Sequence, residues 1–367
     1  MQTDVLIVGG GPAGIATAIA ARLKGLRATV VDIRTPPIDK PCGEGLLPDA
    51  VDALRKLGID LNASLAFPFY GFHFSDEHSS VSAPMQRGNG FGIRRTFFHR
   101  LLVERAREGG VCFLWGTHVT ELNAGGAQTN AGAISCKWLV GADGSLSMVR
   151  RFARLEPRRA PRMRFGFRRH YEVAPWTDRV EVHWGEKCQL IVAPTGSREV
   201  CLSLFTCDQR MRLSRALDLF PDVARRLAGA RPRSAQAGAV TFLSRARAVV
   251  SENVALVGDA SCTVDGVAGQ GLTLALQESL ALAEAMAAGD LPQYAAAHRQ
   301  ITRMPVRMTR LLLAMNSNPA FRRKMLRILA SSPALFAKML SIHTGASSVK
   351  NLRAGDILDF GWRMMWA

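Results

Sequence analysis

The stretch Asp4-Val-Leu-Ile-Val-Gly-Gly-Gly-Pro-Ala-Gly14 stands almost at the start of the 367-residue chain and decides its fold. Its first five residues are mostly apolar, which predicts a strand buried on both faces of a parallel sheet. From Pro12 to Lys24 the apolar residues recur with helical periodicity, and Gly25 predicts the end of that helix. Between strand and helix, three glycines have the spacing G-x-G-x-x-G: Gly9, Gly11 and Gly14. This order is typical of a dinucleotide-binding turn.

Each residue type in this turn has a physical reason. Gly9 permits a tight turn, Gly11 lets the backbone approach a pyrophosphate, and Gly14 lets the helix pack closely on the strand. The amino end of the helix offers free N–H groups and a positive dipole to phosphates. Asp32 ends a second apolar strand and is expected to accept hydrogen bonds from ribose hydroxyls. The alternative is an ordinary strand-turn-helix whose glycines serve packing, and the pattern alone does not separate NAD from FAD.

Composition indicates a globular chain with a strongly basic balance. Lys and Arg number 47 against 30 Asp and Glu, a formal net charge of +17, which attracts phosphates, acidic substrates, nucleic acid or anionic lipid. We predict no nucleic-acid partner, because the sequence has no helix-turn-helix, zinc-finger or aromatic single-strand-binding pattern. No apolar run reaches the roughly 18 residues of a membrane span, and the amino end does not resemble a signal peptide. We therefore expect a cytoplasmic protein.

The seven cysteines are scattered through the chain and form no C-x-x-C pair, and the eight histidines form no H-x-x-x-H pair. We therefore predict no metal site and no disulfide framework.

The loop Lys40-Pro-Cys-Gly-Glu-Gly-Leu-Leu-Pro48 places a thiol and a carboxylate between glycines and prolines. This pattern predicts a rigid loop whose backbone lies close to another group, and we favour contact with the cofactor. The alternative is a simple turn that leads into the helix predicted at Asp49–Leu57.

Two later stretches have the same pattern as the first, an apolar strand that ends in a glycine-containing turn. An apolar strand runs into Asp143-Gly144, and another, from Asn253, runs into Gly258-Asp259. A carboxylate at the end of such a strand faces a polar ligand, and Asp259 is suited to a ribityl hydroxyl. A glycine-rich loop then opens a long helix at Gly269–Leu272, where free amides suit the negative charge of a reduced flavin ring.

Residues 155–244 have the alternation of antiparallel strands, with interleaved aromatic and arginine residues. The ordinary interpretation is a sheet with one packed face, and the functional one is a substrate-binding sheet over the cofactor. No residue there has a catalytic spacing, so the catalytic residues are not predicted. The last part, from about Leu291, is predicted to be helical and basic. It is expected to dock on the body of the protein, and the alternative is a basic face that contacts a membrane.

Taken together, G-x-G-x-x-G, Asp143-Gly144 and Gly258-Asp259 resemble the para-hydroxybenzoate hydroxylase-like FAD-dependent oxidoreductases, the group A flavoprotein monooxygenases. Geranylgeranyl reductases and flavin-dependent halogenases share this fold, and the resemblance covers about residues 1–300. It implies that Asp32 binds the adenosine ribose, that Arg95 reaches the cofactor and that the Val119 backbone meets the adenine. It also links Asp143-Gly144 to nicotinamide cofactor binding. The residues expected to bind cofactor are Gly9, Gly11, Pro12, Ala13, Gly14, Asp32, Ile33, Arg34, Cys42, Gly43, Arg95, Val119, Asp143, Gly144, Gly258, Asp259, Gly269, Gln270, Gly271 and Leu272.

The sequence also departs from each branch of this family. Gly266 stands where most hydroxylases have a proline, and the Cys42–Gly45 loop is more similar to the geranylgeranyl reductases, where it lies near the isoalloxazine. The reductase signature Y-x-W-x-F-P is missing, and Gln189–Pro194 occupies the corresponding segment. The halogenase signatures are not evident, so halogenation is disfavoured.

We therefore predict an α/β fold, α+β overall: a Rossmann-like FAD-binding domain with an inserted antiparallel β-sheet substrate domain and C-terminal helices. The FAD domain is discontinuous, and the predicted ranges are 1–62, 92–154 and 245–300 for it, 63–91 and 155–244 for the β domain, and 301–367 for the helical extension.

The first functional hypothesis is a monooxygenase that uses FAD, with NADPH or NADH as electron donor, to hydroxylate an aromatic or apolar small molecule of secondary-metabolite type. Reduced flavin would react with O2 in a pocket that the β domain keeps dry. The alternative is a geranylgeranyl reductase-like enzyme that saturates an isoprenoid or lipid double bond, peripheral on the inner membrane face. A third hypothesis is a basic, non-enzymatic nucleotide-binding protein.

Overall fold

The computed structural model describes residues 1–123 and 125–347. The strands in this part of the chain are β1 Gln2–Val8, β2 Ala28–Asp32, β3 Gly45–Leu46, β4 Phe67–Phe69, β5 Gly71–Ser75, β6 Ser80–Pro84, β7 Gly90–Gly92, β8 Cys112–Trp115, β9 Val119–Asn123, β10 Gly126–Thr129, β11 Gly132–Gly141, β12 Arg164–Glu172, β13 Arg179–Trp184, β14 Cys188–Gly196, β15 Glu199–Thr206, β16 Arg231–Pro232, β17 Ala237–Thr241, β18 Ser244–Arg245, β19 Val250–Ser251, β20 Val254–Leu256 and β21 Cys262–Thr263.

The α-helices of the same described residues are α1 Pro12–Leu23, α2 Pro48–Lys56, α3 Arg95–Glu108, α4 Met148–Phe152, α5 Leu213–Leu217, α6 Pro221–Arg226, α7 Gly271–Ala288, α8 Leu291–Ser317, α9 Pro319–Ser331 and α10 Pro333–His343. Two single 3₁₀ turns, Gly258–Ala260 and Gly266–Ala268, lie between β20 and α7.

The first sheet has the order β19-β20-β11-β1-β2-β8, and its neighbours from β20 to β8 run parallel. The hairpin β9-β10 extends from β11. In β1 the residues Val5, Leu6 and Ile7 are fully buried, because helices cover one face and a second layer covers the other. β1, β11 and β20 therefore end at one edge of the sheet, where ligands bind in open α/β folds.

The second sheet has the order β16-β12-β15-β14-β13-β5-β6, with β17 also paired to β12. Its pairs are antiparallel except for β13-β5, which run parallel because β5 comes from a separate, earlier segment of the chain. The mixed α/β architecture predicted from the sequence is confirmed, with this one parallel pair as the exception.

The C-terminal helices pack on the second sheet. α9 and α10 contact β6, and the ring centroids of Phe74 on β5 and Phe336 on α10 lie 4.9 Å apart. The predicted border between residues 300 and 301 falls inside α8, whose inward positions continue at helical spacing on both sides of it: Tyr294, His298, Thr302, Val306 and Thr309. Residues 348–367 of the predicted extension lie outside the described residues.

In the part of the chain that the structure describes, no individual helix has both the length and the apolar composition of a membrane span. α9 and α10 reach that length and apolarity only as a pair, and they meet at 110°.

Candidate cofactor and active site

The G-x-G-x-x-G turn lies between β1 and α1, and the geometry requires glycine at two of its positions. Gly9 has φ +111°, and a Cβ there would lie 2.4 Å from the Ala142 carbonyl oxygen. A Cβ on Gly14 would lie 1.8 Å from the Gly9 carbonyl oxygen. Backbone atoms on both sides leave no room for a side chain, so these glycines close the turn and seat α1 against β1.

Gly11 is different, because no contact with the described residues requires a glycine there. Its φ is −76°, which any residue adopts, and a Cβ would find nothing within 4 Å. Gly43 and Gly271 face open space in the same way. Pro12 and Ala13 follow as the first turn of α1, whose N–H groups have no side-chain cap. An open space beside a free helix amino end fits a pyrophosphate.

Asp32 ends β2 beside this turn. Its Oδ2 accepts from the Gly10 N–H at 2.7 Å, and its Oδ1 accepts from the Arg34 N–H at 2.8 Å. Ile33 between them is 63% exposed and the Arg34 side chain is also largely exposed, so both lie at the rim. These bonds hold the carboxylate at the turn, where an adenosine ribose is expected.

The segment after β8 is tied to the same place. The Thr117 N–H donates to the Asp32 carbonyl oxygen at 3.1 Å, and Val119 begins β9 two residues later. Asp32 and Val119 are therefore close in the fold, as the predicted adenine site requires.

The loop after Pro41 carries a buried carboxylate. Glu44 is 1% exposed and has φ +59°, a left-handed conformation that costs free energy in a residue other than glycine. Its Oε1 accepts from the Arg95 N–H and from Arg168 Nη1, both at 3.0 Å. Its Oε2 lies 2.5 Å from His170 Nε2. We call these four residues, Glu44, Arg95, Arg168 and His170, the Glu44 cluster.

The Glu44 cluster connects the loop between β2 and β3 with the second sheet. Glu44 lies in that loop, whereas Arg168 and His170 lie on β12 of the second sheet. Arg168 Nη2 also donates to Asp39 Oδ2 at 2.8 Å, and His170 Nδ1 lies 2.9 Å from Ser234 Oγ. The His170 ring and the Glu44 carboxylate are both buried, so they form a buried acid–base pair where this loop meets β12.

Three side chains here could together hold a metal ion: Glu44, His170 and Cys201. A carboxylate oxygen of Glu44, a ring nitrogen of His170 and the sulfur of Cys201 lie within 4.8 Å of one another. The Arg168 guanidinium already supplies the positive charge there, 3.0 Å from Glu44 Oε1 and 3.5 Å from His170 Nε2. A second cation would be repelled, so we assign the group to hydrogen bonding.

The Arg95 side chain has the features expected of a pyrophosphate ligand. It is 5% exposed, and one nitrogen of its guanidinium group, Nη1, is buried without a hydrogen-bond partner in the described chain. Burial lowers the pKa of this guanidinium, and burial raises the pKa of the neighbouring Cys42 thiol. A buried cation with an unused donor fits a phosphate, because an anion would satisfy both its charge and its hydrogen bond.

Asp143 and Gly144 follow β11, beside the first turn. An ideal Cβ on Gly9 would lie 2.8 Å from the Asp143 N, so the two motifs touch. The Asp143 carboxylate accepts from Ser147 Oγ at 2.5 Å and from the Met148 N–H at 2.6 Å. Its oxygens therefore cap α4, a role that the sequence analysis did not foresee.

Gly258 and Asp259 follow β20 at the same sheet edge. The Asp259 carboxylate pairs with Lys40, its Oδ2 lying 2.8 Å from Nζ, and this carboxylate raises the pKa of Lys40. Lys40 belongs to the loop that carries Glu44. The pair therefore joins the third motif to the loop between β2 and β3, with a cation at the expected ribityl and pyrophosphate position.

The glycine-rich loop that opens α7 begins at Gly269, whose φ of +64° ends the preceding 3₁₀ turn. α7 starts at Gly271, and Leu272 packs against the hydrophobic core formed by β1 and α1. Gln270 Nε2 donates to the His343 carbonyl oxygen of α10, so this side chain is bonded to the C-terminal helices. The Gly269 N–H, predicted to be free, donates to the Gly266 carbonyl oxygen at 3.1 Å, so the expected contact with a flavin ring is left to the amides after it.

All the predicted motifs thus meet along one sheet edge, although two predicted side chains, Asp143 and Gln270, are engaged inside the protein. Sequence reasoning missed Lys40, Arg168 and His170 as members of the site. The only local signal was a carboxylate between glycines at position 44, and its partner His170 stands 126 residues away.

A protein-family model described as the FAD binding domain matches residues 2–201, more than half of the chain. The chain belongs to this family and is an FAD-dependent oxidoreductase, as its resemblance to the hydroxylases implied. FAD is therefore its cofactor, and the non-enzymatic hypothesis is not retained.

Individual relatives agree with this assignment. The menaquinone reductase of Mycolicibacterium smegmatis is 26% identical over 324 residues, which cover 81% of this chain and 79% of the relative. The 3-(3-hydroxy-phenyl)propionate/3-hydroxycinnamic acid hydroxylase of Mycobacterium avium is 30% identical over 178 residues, 41% of this chain and 30% of the relative. The structure of the flavin-dependent brominase Bmp2 superposes with a TM-score of 0.81 and 20% identity, over 100% of this chain and 99% of that one, and shows a common fold.

Proposed function

We propose that this protein is an NAD(P)H-dependent monooxygenase that hydroxylates an aromatic or otherwise apolar small molecule. The reaction consumes one O2, one NAD(P)H and one proton, and it yields the hydroxylated product, NAD(P)⁺ and water. FAD, once reduced, supplies the electrons that activate O2. The known hydroxylase among the relatives supports this reaction class.

The observation that carries the proposal is the buried Glu44–His170 pair. A phenolic ring becomes a better nucleophile when it loses its proton, so a hydroxylase benefits from a base that water does not reach. His170 is fully buried, with Glu44 on Nε2 and the half-buried Ser234 hydroxyl on Nδ1, so a substrate proton would reach the ring through Ser234 Oγ. The carboxylate would stabilise the protonated ring, as an orienting acid does in other histidine bases.

Product analysis tests the reaction class. Enzyme reduced with NADPH or NADH would be mixed with 3-(3-hydroxyphenyl)propionate and with a short-chain menaquinone, once under ¹⁸O2 and once under argon. We expect one ¹⁸O atom in a product formed only under oxygen. A saturated product that forms under argon would overturn monooxygenation and establish the second candidate below.

The H170Q variant tests the base. We expect at least a tenfold lower hydroxylation rate with FAD binding within twofold of wild type. The matched control is H73Q, which removes a half-buried histidine of the same sheet, bonded only to Ser82 by its ring. Equal rates in H170Q and wild type would remove His170 from the proposal.

The second candidate is a reductase that saturates a double bond of an isoprenoid or quinone lipid. Relatives that span about four-fifths of both chains include menaquinone reductases, and the Cys42–Gly45 loop is similar to the reductase branch. In this reaction the Cys42 thiol, kept protonated by its raised pKa, and the Glu44–His170 pair would be proton donors instead of acceptors.

A lipid-like substrate is consistent with peripheral contact to anionic membrane from the cytoplasmic side. Residues 291–355 contain no Asp or Glu. Four exposed arginines form one stripe on α8, and within the described residues none of them lies in an ion pair: Arg299, Arg303, Arg307 and Arg310. Each arginine near an anionic surface contributes about fivefold to partitioning.

Vesicle sedimentation tests this contact. We expect wild type to bind phosphatidylglycerol vesicles and not phosphatidylcholine vesicles, and the four-arginine-to-glutamine variant to bind at least tenfold less. A control with the same charge loss replaces exposed arginines elsewhere, namely Arg158, Arg159, Arg162 and Arg198. Equal loss in both variants would contradict a dedicated face.

A further inference from the structure

A network of buried polar groups supports the Gly258-Asp259 turn from the side of α7 and α8. Glu278 of α7 is fully buried, and its Oε2 accepts from the Gly258 N–H at 2.7 Å and from Ser261 Oγ at 2.8 Å. A single carboxylate thus binds both ends of the 3₁₀ turn that carries Asp259.

α8 completes the network. His298 Nε2 lies 3.1 Å from Ser261 Oγ and 3.3 Å from Glu278 Oε1, and the ring is 2% exposed. One turn earlier, the Tyr294 hydroxyl donates to the Leu256 carbonyl oxygen at 2.6 Å, in the strand that leads into the turn. α8 is therefore bonded both to β20 and to the residues after it.

The turn is also confined on its other side. Gly258 has φ +61°, and a Cβ there would lie 2.7 Å from the Ala13 Cβ at the start of α1. The position of Asp259 relative to the G-x-G-x-x-G turn is thus set between α1 on one side and Glu278 with His298 on the other. A small shift of this turn would move the Asp259 carboxylate away from the ribityl hydroxyl that it is expected to bind.

We infer that Glu278 and His298 are positioning residues for Asp259, and that α8 belongs to the cofactor site. Asp259 is expected at the ribityl chain, whereas the G-x-G-x-x-G turn and Asp32 are expected at the ADP half. The network therefore acts on the flavin half of FAD. This inference is independent of whether the enzyme hydroxylates or reduces its substrate.

Nucleotide titration of the apoprotein tests the inference through two ligands. E278M keeps the approximate volume of the side chain and removes both carboxylate oxygens, so the Gly258 N–H and the Ser261 hydroxyl lose their acceptor. We expect the Kd for FAD to rise at least tenfold while the Kd for ADP stays within twofold of wild type. A merely structural loss would weaken both ligands together, because both need the folded domain.

Three further variants complete the test. H298Q and S261A remove weaker parts of the network, and each is expected to raise the FAD Kd about threefold with ADP unchanged. T302V is the matched control, because Thr302 is buried one turn further along α8 and, among the described residues, its hydroxyl donates to the His298 carbonyl oxygen and not to the turn at Asp259. If E278M does not fold, H298Q and S261A give the result. Unchanged FAD binding in folded variants, or an equal loss of FAD and ADP, would overturn the inference.

Discussion

The G-x-G-x-x-G turn between β1 and α1, called the first turn below, and the Glu44 cluster lie along the same sheet edge, but they are built in different ways. Residues 4–34 form the first turn from one continuous stretch, and a Cβ on Gly14 would clash with the Gly9 backbone of that same stretch, although a Cβ on Gly9 would clash with Ala142 after β11. In the Glu44 cluster, the other three residues lie 51 to 126 positions from Glu44. A local motif is readable from sequence because its spacing is its geometry, whereas a cluster of distant residues has no spacing to read.

The largest expected effect is on protein stability and comes from a substitution in the first turn, the local motif. G14A places a Cβ 1.8 Å from the Gly9 carbonyl oxygen, and neither backbone can move without separating α1 from β1. We expect a loss of ~3 kcal/mol or more in the free energy of unfolding, measured by chemical denaturation of apoprotein. An apoprotein as stable as wild type would show that the turn is looser than its geometry indicates.

The next largest effect on stability is expected from a substitution in the Glu44 cluster. E44Q removes the charge that compensates Arg168 in a fully buried site, and it weakens the bonds to Arg95 and His170. Removal of one partner of a buried pair costs ~3 kcal/mol. The matched control is E284Q, whose pair with Lys24 is largely exposed and contributes less than ~1 kcal/mol. Equal stability of the two variants would contradict a structural role for Glu44.

A smaller effect separates folding from cofactor binding within the first turn. G11A places its Cβ where the chain leaves open space, at a φ that alanine adopts freely. We expect the midpoint of thermal unfolding of the apoprotein to stay within about 2 °C of wild type, because no protein contact changes. Affinity for FAD should fall at least tenfold. A fall in apoprotein stability similar to that of G14A would refute the distinction between the two glycines.

The smallest effect concerns the C-terminal helices and pH. Burial lowers the pKa of His343 from 6.5 to about 4, and its ring bonds the Ala268 backbone in the loop before α7. Between pH 6.5 and 4 the unfolded chain binds a proton that the folded chain does not, so stability falls as pH falls through this window. H343Q lacks that proton, and its thermal midpoint should drop less than that of wild type between pH 7 and 4.5. Parallel curves would place His343 outside the core.

The sequence was sufficient for the fold class, the cofactor and the three motifs, because each depends on a buried strand followed directly by its turn. It was insufficient where a side chain has two available partners. Asp143 was expected to face a ligand, and the sequence did not reveal that its carboxylate also accepts from the Met148 N–H and the Ser147 hydroxyl at the start of α4. The region from Leu291 was expected to be helical, but the sequence did not show that one helix, α8, crosses the predicted border at residue 300.

The difference between a local motif and a cluster of distant residues also explains why the reaction is harder to predict than the cofactor. The FAD motifs are local, but the groups that would exchange protons with a substrate come from the loop before β3 and from the second sheet. Glu44 was visible as an unusual acid between glycines, and only the fold reveals that Arg168 and His170 lie against it. Functional assignment therefore depends on the second sheet, where the pattern of alternating residues carries the least information.

The central proposal is that the first turn and the Arg95 side chain bind the ADP half of FAD while the Glu44–His170 pair lies beside the flavin ring. The visible absorption spectrum of FAD bound to H170Q tests it most directly, because the flavin bands respond to polar groups near the ring. We predict shifted bands in H170Q at nearly unchanged FAD affinity, and unshifted bands in G11A molecules that retain FAD. A spectrum of H170Q identical to that of wild type would contradict the claim.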